Sequence, residues 1–97
     1  MRYKSLFQDE ETQRKCWLCG RPATEWHHIF NASNKANSER YGAMVRLCHF
    51  CHNEPPRGVH HNKETRNYLC KVAQERIMNE YGLTLDEFRR VFGKNYL

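Results

Sequence analysis

The chain has 97 residues, of which 39% are hydrophobic, and a net charge of +5 with its histidines neutral. A chain this short makes one domain with a thin core, so a stapling element such as a metal is expected. No stretch approaches the ~18 apolar residues of a membrane span, and the run from Met1 to Lys15 has no apolar secretory segment. A cytoplasmic setting without membrane attachment is therefore expected. There, paired cysteines bind metal more often than they form disulfides. The positive charge suits a polyanionic partner.

Residues 1–15 are mostly polar, with Tyr3, Leu6 and Phe7 as anchors. Cys16-Trp17-Leu18-Cys19-Gly20 reads as a tight knuckle, with Gly20 and Pro22 marking the turn. Glu25 to Phe30 is aromatic and apolar enough for a short strand, and Gly42 to Leu47 suits an antiparallel partner. Between them, Asn31 to Arg40 is rich in Asn, Ser and charge and reads as an exposed loop. Cys48-His49-Phe50-Cys51-His52 follows, and Pro55-Pro56 cuts short any helix that opens there. Leu69, Val72, Ala73, Ile77 and Tyr81 recur at helical spacing, which predicts an amphipathic helix over residues 63–81 closed by Gly82. Thr84 and Glu87 form a capping-box pattern that opens a shorter helix through Phe92, ended by Gly93.

Cys16 and Cys19 share the spacing of Cys48 and Cys51. A Cys-x-x-Cys turn points two sulfurs at one centre, and two such turns complete a tetrahedral four-thiolate zinc site. A closed four-sulfur shell leaves no position for water or substrate, so this zinc is expected to be structural. The fifth cysteine, Cys70, reads as a core or boundary residue of the long helix. Any chemistry needs a second site. All six histidines fall between His27 and His61: His27, His28, His49, His52, His60 and His61. Imidazole is a good transition-metal ligand and a base poised near neutral pH.

A His-His pair ends a short strand, a hairpin follows, and Leu47-Cys48-x-x-Cys51-His52 opens a helix-like turn. This order, from Cys16 to about Asn62, resembles the zinc-containing HNH (ββα-metal) endonucleases. The whole chain, with its run from Glu54 to Asn62 and its tail from Phe92 to Leu97, also looks like small phage or prophage proteins of that type. The resemblance implies an α+β fold: a small ββα-metal core stapled by a four-cysteine zinc site, with two C-terminal helices. The single domain then divides into an N-terminal segment (1–15), the core (16–62) and the C-terminal helices (63–97). It implies a DNA endonuclease or nickase of the cytoplasm of a bacterial host or phage-infected cell, acting on double-stranded DNA.

By the same resemblance His28 matches the general base and His27 the metal ligand before it. His52 matches the ligand supplied by the helix, and either His60 or His61 completes the shell. Adjacent strand residues point to opposite faces, so the roles of His27 and His28 are exchangeable at this stage. One of Asn31, Asn34 and Asn37 is expected to brace the loop. Imidazole favours Zn²⁺, Ni²⁺, Co²⁺ or Mn²⁺ over the oxygen-seeking Mg²⁺; Mn²⁺, Ni²⁺, Mg²⁺ or Zn²⁺ is the expected catalytic metal, and Glu54 could add an oxygen.

Arg21, Lys35, Arg40, Arg46 and Arg57 surround the site in sequence and could meet DNA phosphates. Trp26 reads as a core residue. A two-fold homodimer would let two active sites act on opposite strands. Two other functions share these features. One is a non-catalytic, zinc-stabilised nucleic-acid-binding module, and the other is a protein-interaction adaptor, which has no use for the histidines.

Overall fold

The computed structural model describes residues 3–97; Met1 and Arg2 of the expected N-terminal segment lie outside the described residues. The fold is a small mixture of strand and helix. Strands β1 (Glu25–His28) and β2 (Met44–Leu47) form an antiparallel pair. Helices α1 (Lys35–Tyr41), α2 (His49–His52), α3 (Lys63–Tyr81) and α4 (Leu85–Phe92) make up the rest. No described helix is long and apolar enough to cross a membrane.

The register pairs Glu25 with Leu47, Trp26 with Arg46, His27 with Val45 and His28 with Met44. Side chains alternate across a strand, so Glu25 and His27 share one face while Trp26 and His28 share the other. The strand pairing expected through Phe30 ends at His28, although Ile29 N–H still donates to Ala43 C=O at 3.0 Å. Phe30 is then satisfied by a side chain: Ser38 Oγ accepts from its N–H at 3.0 Å and donates to its C=O at 2.7 Å.

That hydroxyl belongs to α1, and here the expected exposed loop over Asn31 to Arg40 is corrected. The segment folds into a 3-10 turn (Ala32–Asn34) and then α1, with Ser38 buried. Its Asn and Ser residues have weak helix propensity, but tertiary contacts override it. Asn34 and Asn37 donate to the carbonyls of Phe92 and Val91, tying the 3-10 turn and α1 to the end of α4. Gly42, at φ +80°, closes the helix in the left-handed conformation that glycine adopts without strain.

The other edge of β2 is covered by the N-terminal segment rather than by a third strand. Leu6 N–H donates to Gly42 C=O, Ser5 Oγ donates to Met44 C=O, and buried Gln8 accepts from Arg46 N–H at 2.8 Å. The amide of Gln8 also donates to the carbonyls of Thr12 and Lys15. These side-chain bonds blunt an edge that would otherwise present unpaired backbone groups.

Helix α3 spans the predicted residues. Asn62 caps it by accepting from Thr65 N–H, and Gly82 at φ +63° ends it. Leu69, Ala73 and Ile77 are fully buried as expected, but Tyr81 is not a core residue. It is 36% exposed and packs edge-on against Tyr41. The Thr84–Glu87 capping box forms as predicted and starts α4, whose Phe88 and Phe92 close on Phe30. Truncating a buried aromatic such as Phe88 costs about 3–5 kcal/mol in comparable cores. Trp26 also departs from expectation: it lies half-buried on the outer face of the sheet, between Tyr3 and the guanidinium of Arg46.

Candidate metal centres

Two groups of metal-ligating side chains form on either side of α2. In the first, the sulfurs of Cys16, Cys19, Cys48 and Cys51 all lie within 4.8 Å of one another, and Cys19 and Cys48 are 3.6 Å apart. A tetrahedron with Zn–S legs of ~2.3 Å has edges of about 3.8 Å, so the four can hold one metal ion such as zinc. The first knuckle closes through Gly20 N–H to Cys16 C=O and Cys16 N–H to Arg21 C=O, and Trp17 N–H anchors it to Arg46 C=O at the end of β2. Cys48 follows β2 directly, and Cys51 sits one turn into α2.

Burial raises the Cys19 and Cys51 thiols, and the neighbouring sulfurs of Cys48 and Cys16 add to this. At Cys16, burial is outweighed by backbone N–H groups of Cys48, Cys19 and Leu18, which bring the thiol down to about 7. Four thiolates in one place repel each other, and a coordinated cation removes that penalty. Cys70 stays apart, buried with its thiol 3.7 Å from Ile29 C=O.

The second group is His27, His52 and His60, with ligand atoms again within 4.8 Å of one another. They come from β1, α2 and the loop that follows α2. The ring centroids form a near-regular triangle: 5.2 Å for His27–His52, 5.2 Å for His27–His60 and 4.7 Å for His52–His60. His27 is 2% exposed, and its Nε2 is buried without a hydrogen-bond partner among the described residues. A polar atom left so costs free energy unless something binds it. Burial, followed by the charges of His52 and His60, holds His27 down at about 3, so the ring is neutral and its lone pair is free to ligate. His60 is lowered for the same reasons, burial first and then His52.

Glu25, on the same strand face as His27, orients the second ligand. Its Oε1 lies 2.6 Å from His52 Nδ1. A carboxylate only accepts, so Nδ1 carries the proton and Nε2 of His52 keeps its lone pair. That Nε2 lies 3.0 Å from His60 Nε2, close enough for both nitrogens to ligate one cation. Hydrogen bonding from His52, then from His49, holds Glu25 below the usual carboxylate range. These donor atoms fit a transition metal: neutral imidazoles, a fixed tautomer and an orphaned buried nitrogen.

Other expected site residues are placed differently. His28 is outside the three-histidine group; its Nε2 lies 2.7 Å from Glu39 of α1, and Tyr3 packs on its ring. His61 is exposed and also outside the group, which selects His60 of the two alternatives. Glu54 approaches His49 Nε2 at 3.1 Å and does not join the three histidines. His49 is raised by hydrogen bonding to Glu25 and then to Glu54. Lys35 and Arg57 are exposed, and Arg21 lies over the ring of Phe50 at 5.7 Å. Arg46 is committed to the fold, lying over Trp26 and donating to Ala23 C=O at 3.3 Å.

Glu25 and Glu39 are absent from the sequence-derived site. The period of two along a strand could have identified Glu25, two positions before His27. Nothing local marks Glu39, because α1 itself is not legible. No family model matches the chain, and neither a curated protein nor a solved structure does.

Proposed function

We propose that the chain is a metal-dependent DNA endonuclease or nickase of the HNH type, hydrolysing phosphodiester bonds with one divalent metal and a histidine base. The observation that carries this reading is the meeting of His27, His52 and His60 around a buried, unpartnered Nε2. In this reading β1, β2 and α2 are the ββα unit, and the four-cysteine zinc staple holds α2 in place.

A divalent cation held by His27, His52 and His60 would supply positive charge to the developing transition state and leaving oxygen. Glu25 sets the tautomer of His52 for that task. His60 is exposed, so the group opens toward solvent on one side, as substrate entry requires. His28 serves as general base. Glu39 holds its Nε2, which leaves Nδ1 to take the proton from the attacking water. In-line displacement puts the attacking and leaving oxygens on opposite sides of phosphorus. Ligand and base from adjacent strand positions with opposite directions suit the two ends of that line.

The experiment is incubation of supercoiled plasmid with Mn²⁺, Ni²⁺ or Mg²⁺. Nicking or cutting is expected, falling by about 10²–10⁴-fold in His28→Ala. A protein carrying zinc that never cuts in any of these metals would end the enzyme reading. The near-complete burial of His27 favours a second reading, a non-catalytic nucleic-acid-binding module in which both groups hold structural ions. DNA binding and metal binding by the histidines without cleavage would select it.

A further inference from the structure

Beyond the two metal-ligating groups, the molecule has a basic groove of about 350 Å³. One wall is Ile29 to Ala32, the chain that runs directly on from His27 and His28. The opposite wall is the first two turns of α3, with Lys63, Arg66, Asn67 and Cys70, and the tail closes it with Lys94 and Tyr96. We propose that this groove seats a backbone phosphate of the nucleic-acid strand whose neighbouring phosphodiester lies at His28. The proposal rests on the endonuclease reading for the position of the strand and adds the place where the strand is gripped.

The lining contains three cations and no carboxylate. Lys63, Arg66 and Lys94 form no ion pair with a described residue. Arg66 lines the groove beside Cys70 and acts electrostatically on His60 of the histidine group as well. The start of α3, a long helix, directs its positive end to the same region.

The groove is also built rather than incidental. Gln74, fully buried in α3, donates to Asn95 Oδ1 at 2.8 Å and accepts from Tyr96 N–H at 2.6 Å. This pins the tail, so that Tyr96 packs on Phe30 and Lys94 lies over the Tyr96 ring. A buried amide thereby holds a surface lysine in position, which lowers the entropy cost of gripping a phosphate.

The test is fluorescence anisotropy of a labelled DNA duplex over a salt series. Wild type is compared with Lys63→Gln/Arg66→Gln/Lys94→Gln and with a charge-matched control, Lys71→Gln/Arg89→Gln/Arg90→Gln. The groove variant is expected to bind about tenfold more weakly and to lose roughly 0.9 from the log–log salt slope for each phosphate contact removed. The control should keep the wild-type slope. An unchanged slope in the groove variant, or an equal loss in both variants, would overturn the proposal. Arg66→Gln alone, with an unchanged melting temperature, guards against misfolding and should show a smaller loss of the same sign. His27→Ala separates the two readings: it should abolish cutting yet keep the groove-dependent slope. Cutting that survives in His27→Ala sinks the catalytic assignment, not the groove.

Discussion

Glu25 and His52 are joined by the shortest contact of the histidine group, 2.6 Å between Oε1 and Nδ1. Glu25 Oε2 reaches His49 Nδ1 at 3.2 Å, and Asn53 donates to Oε1 at 3.3 Å. One strand carboxylate thus contacts the helix that carries both Cys51 of the sulfur group and His52 of the histidine group.

Replacing this carboxylate should weaken the histidine site without touching its ligands. In Glu25→Gln, Ni²⁺ affinity measured by calorimetry on zinc-loaded protein is expected to fall about 10–100-fold, as losses of outer partners do elsewhere. Equal affinity in the two proteins would show that the contact does not set the tautomer.

Glu39→Gln should behave in the opposite way. Glu39 touches His28 and none of the three ligands, so Ni²⁺ affinity is expected to stay at the wild-type level. Plasmid nicking should slow by at least about tenfold, since a base held in the wrong tautomer loses most of its general-base contribution. Wild-type nicking in Glu39→Gln would remove Glu39 from the mechanism.

Cys51 and His52 are neighbours on α2, so the two metal groups share a support. In Cys48→Ser, zinc content should drop, cooperative melting should disappear, and Ni²⁺ binding by the histidines should go with it, because the staple supplies folding free energy. Cys70→Ser should keep its zinc. Elemental analysis and circular dichroism report both results, and retained zinc with normal melting in Cys48→Ser would contradict the four-sulfur assignment.

Gly58 lies inside the loop that returns the chain to His60. A Cβ there would sit 2.8 Å from Glu54 N and 2.9 Å from both Asn53 N and Asn53 C, all backbone atoms. Backbone cannot swing aside as a side chain can, so Gly58→Ala is expected to cost about 1–3 kcal/mol. For a domain of this size that is a fall in melting temperature of roughly 4–8 °C per kcal/mol. Ni²⁺ affinity should fall as well, since Val59 and His60 are displaced. An unchanged melt would mean that the loop is not packed in this way.

Burial raises the Cys70 thiol from an ordinary value near 9 to about 11. Between those values the folded chain holds a proton that the unfolded chain has released, so stability falls as pH rises through that window. The contribution is fully present below about pH 9. The stability difference between wild type and Cys70→Ala, measured by urea melts, should therefore be constant up to about pH 9 and shift against wild type above it. Iodoacetamide at about pH 8, below that window, should label Cys70 only in urea. Rapid labelling of the folded protein would show that the thiol is not buried.

Much of this protein is written locally. The Cys-x-x-Cys spacings, the run from Leu69 to Ile77, Gly82 at the end of α3 and the Thr84–Glu87 box all act within a few residues of themselves, so sequence alone determined the sulfur group and both C-terminal helices. Tertiary structure decided the rest. It chose His60 over His61 through a return loop that needs Gly58, and it turned a polar stretch into α1 because Ser38 completes the bonding of Phe30. It also brought Glu25 to His52, Glu39 to His28 and Gln74 to the tail. These contacts join residues distant in the chain, and no periodicity encodes where two loops close. The histidine cluster was legible as composition; its division into a group of three that could hold a metal and a separate His28 required the strand pleat and the packing of α1 and α2 around it.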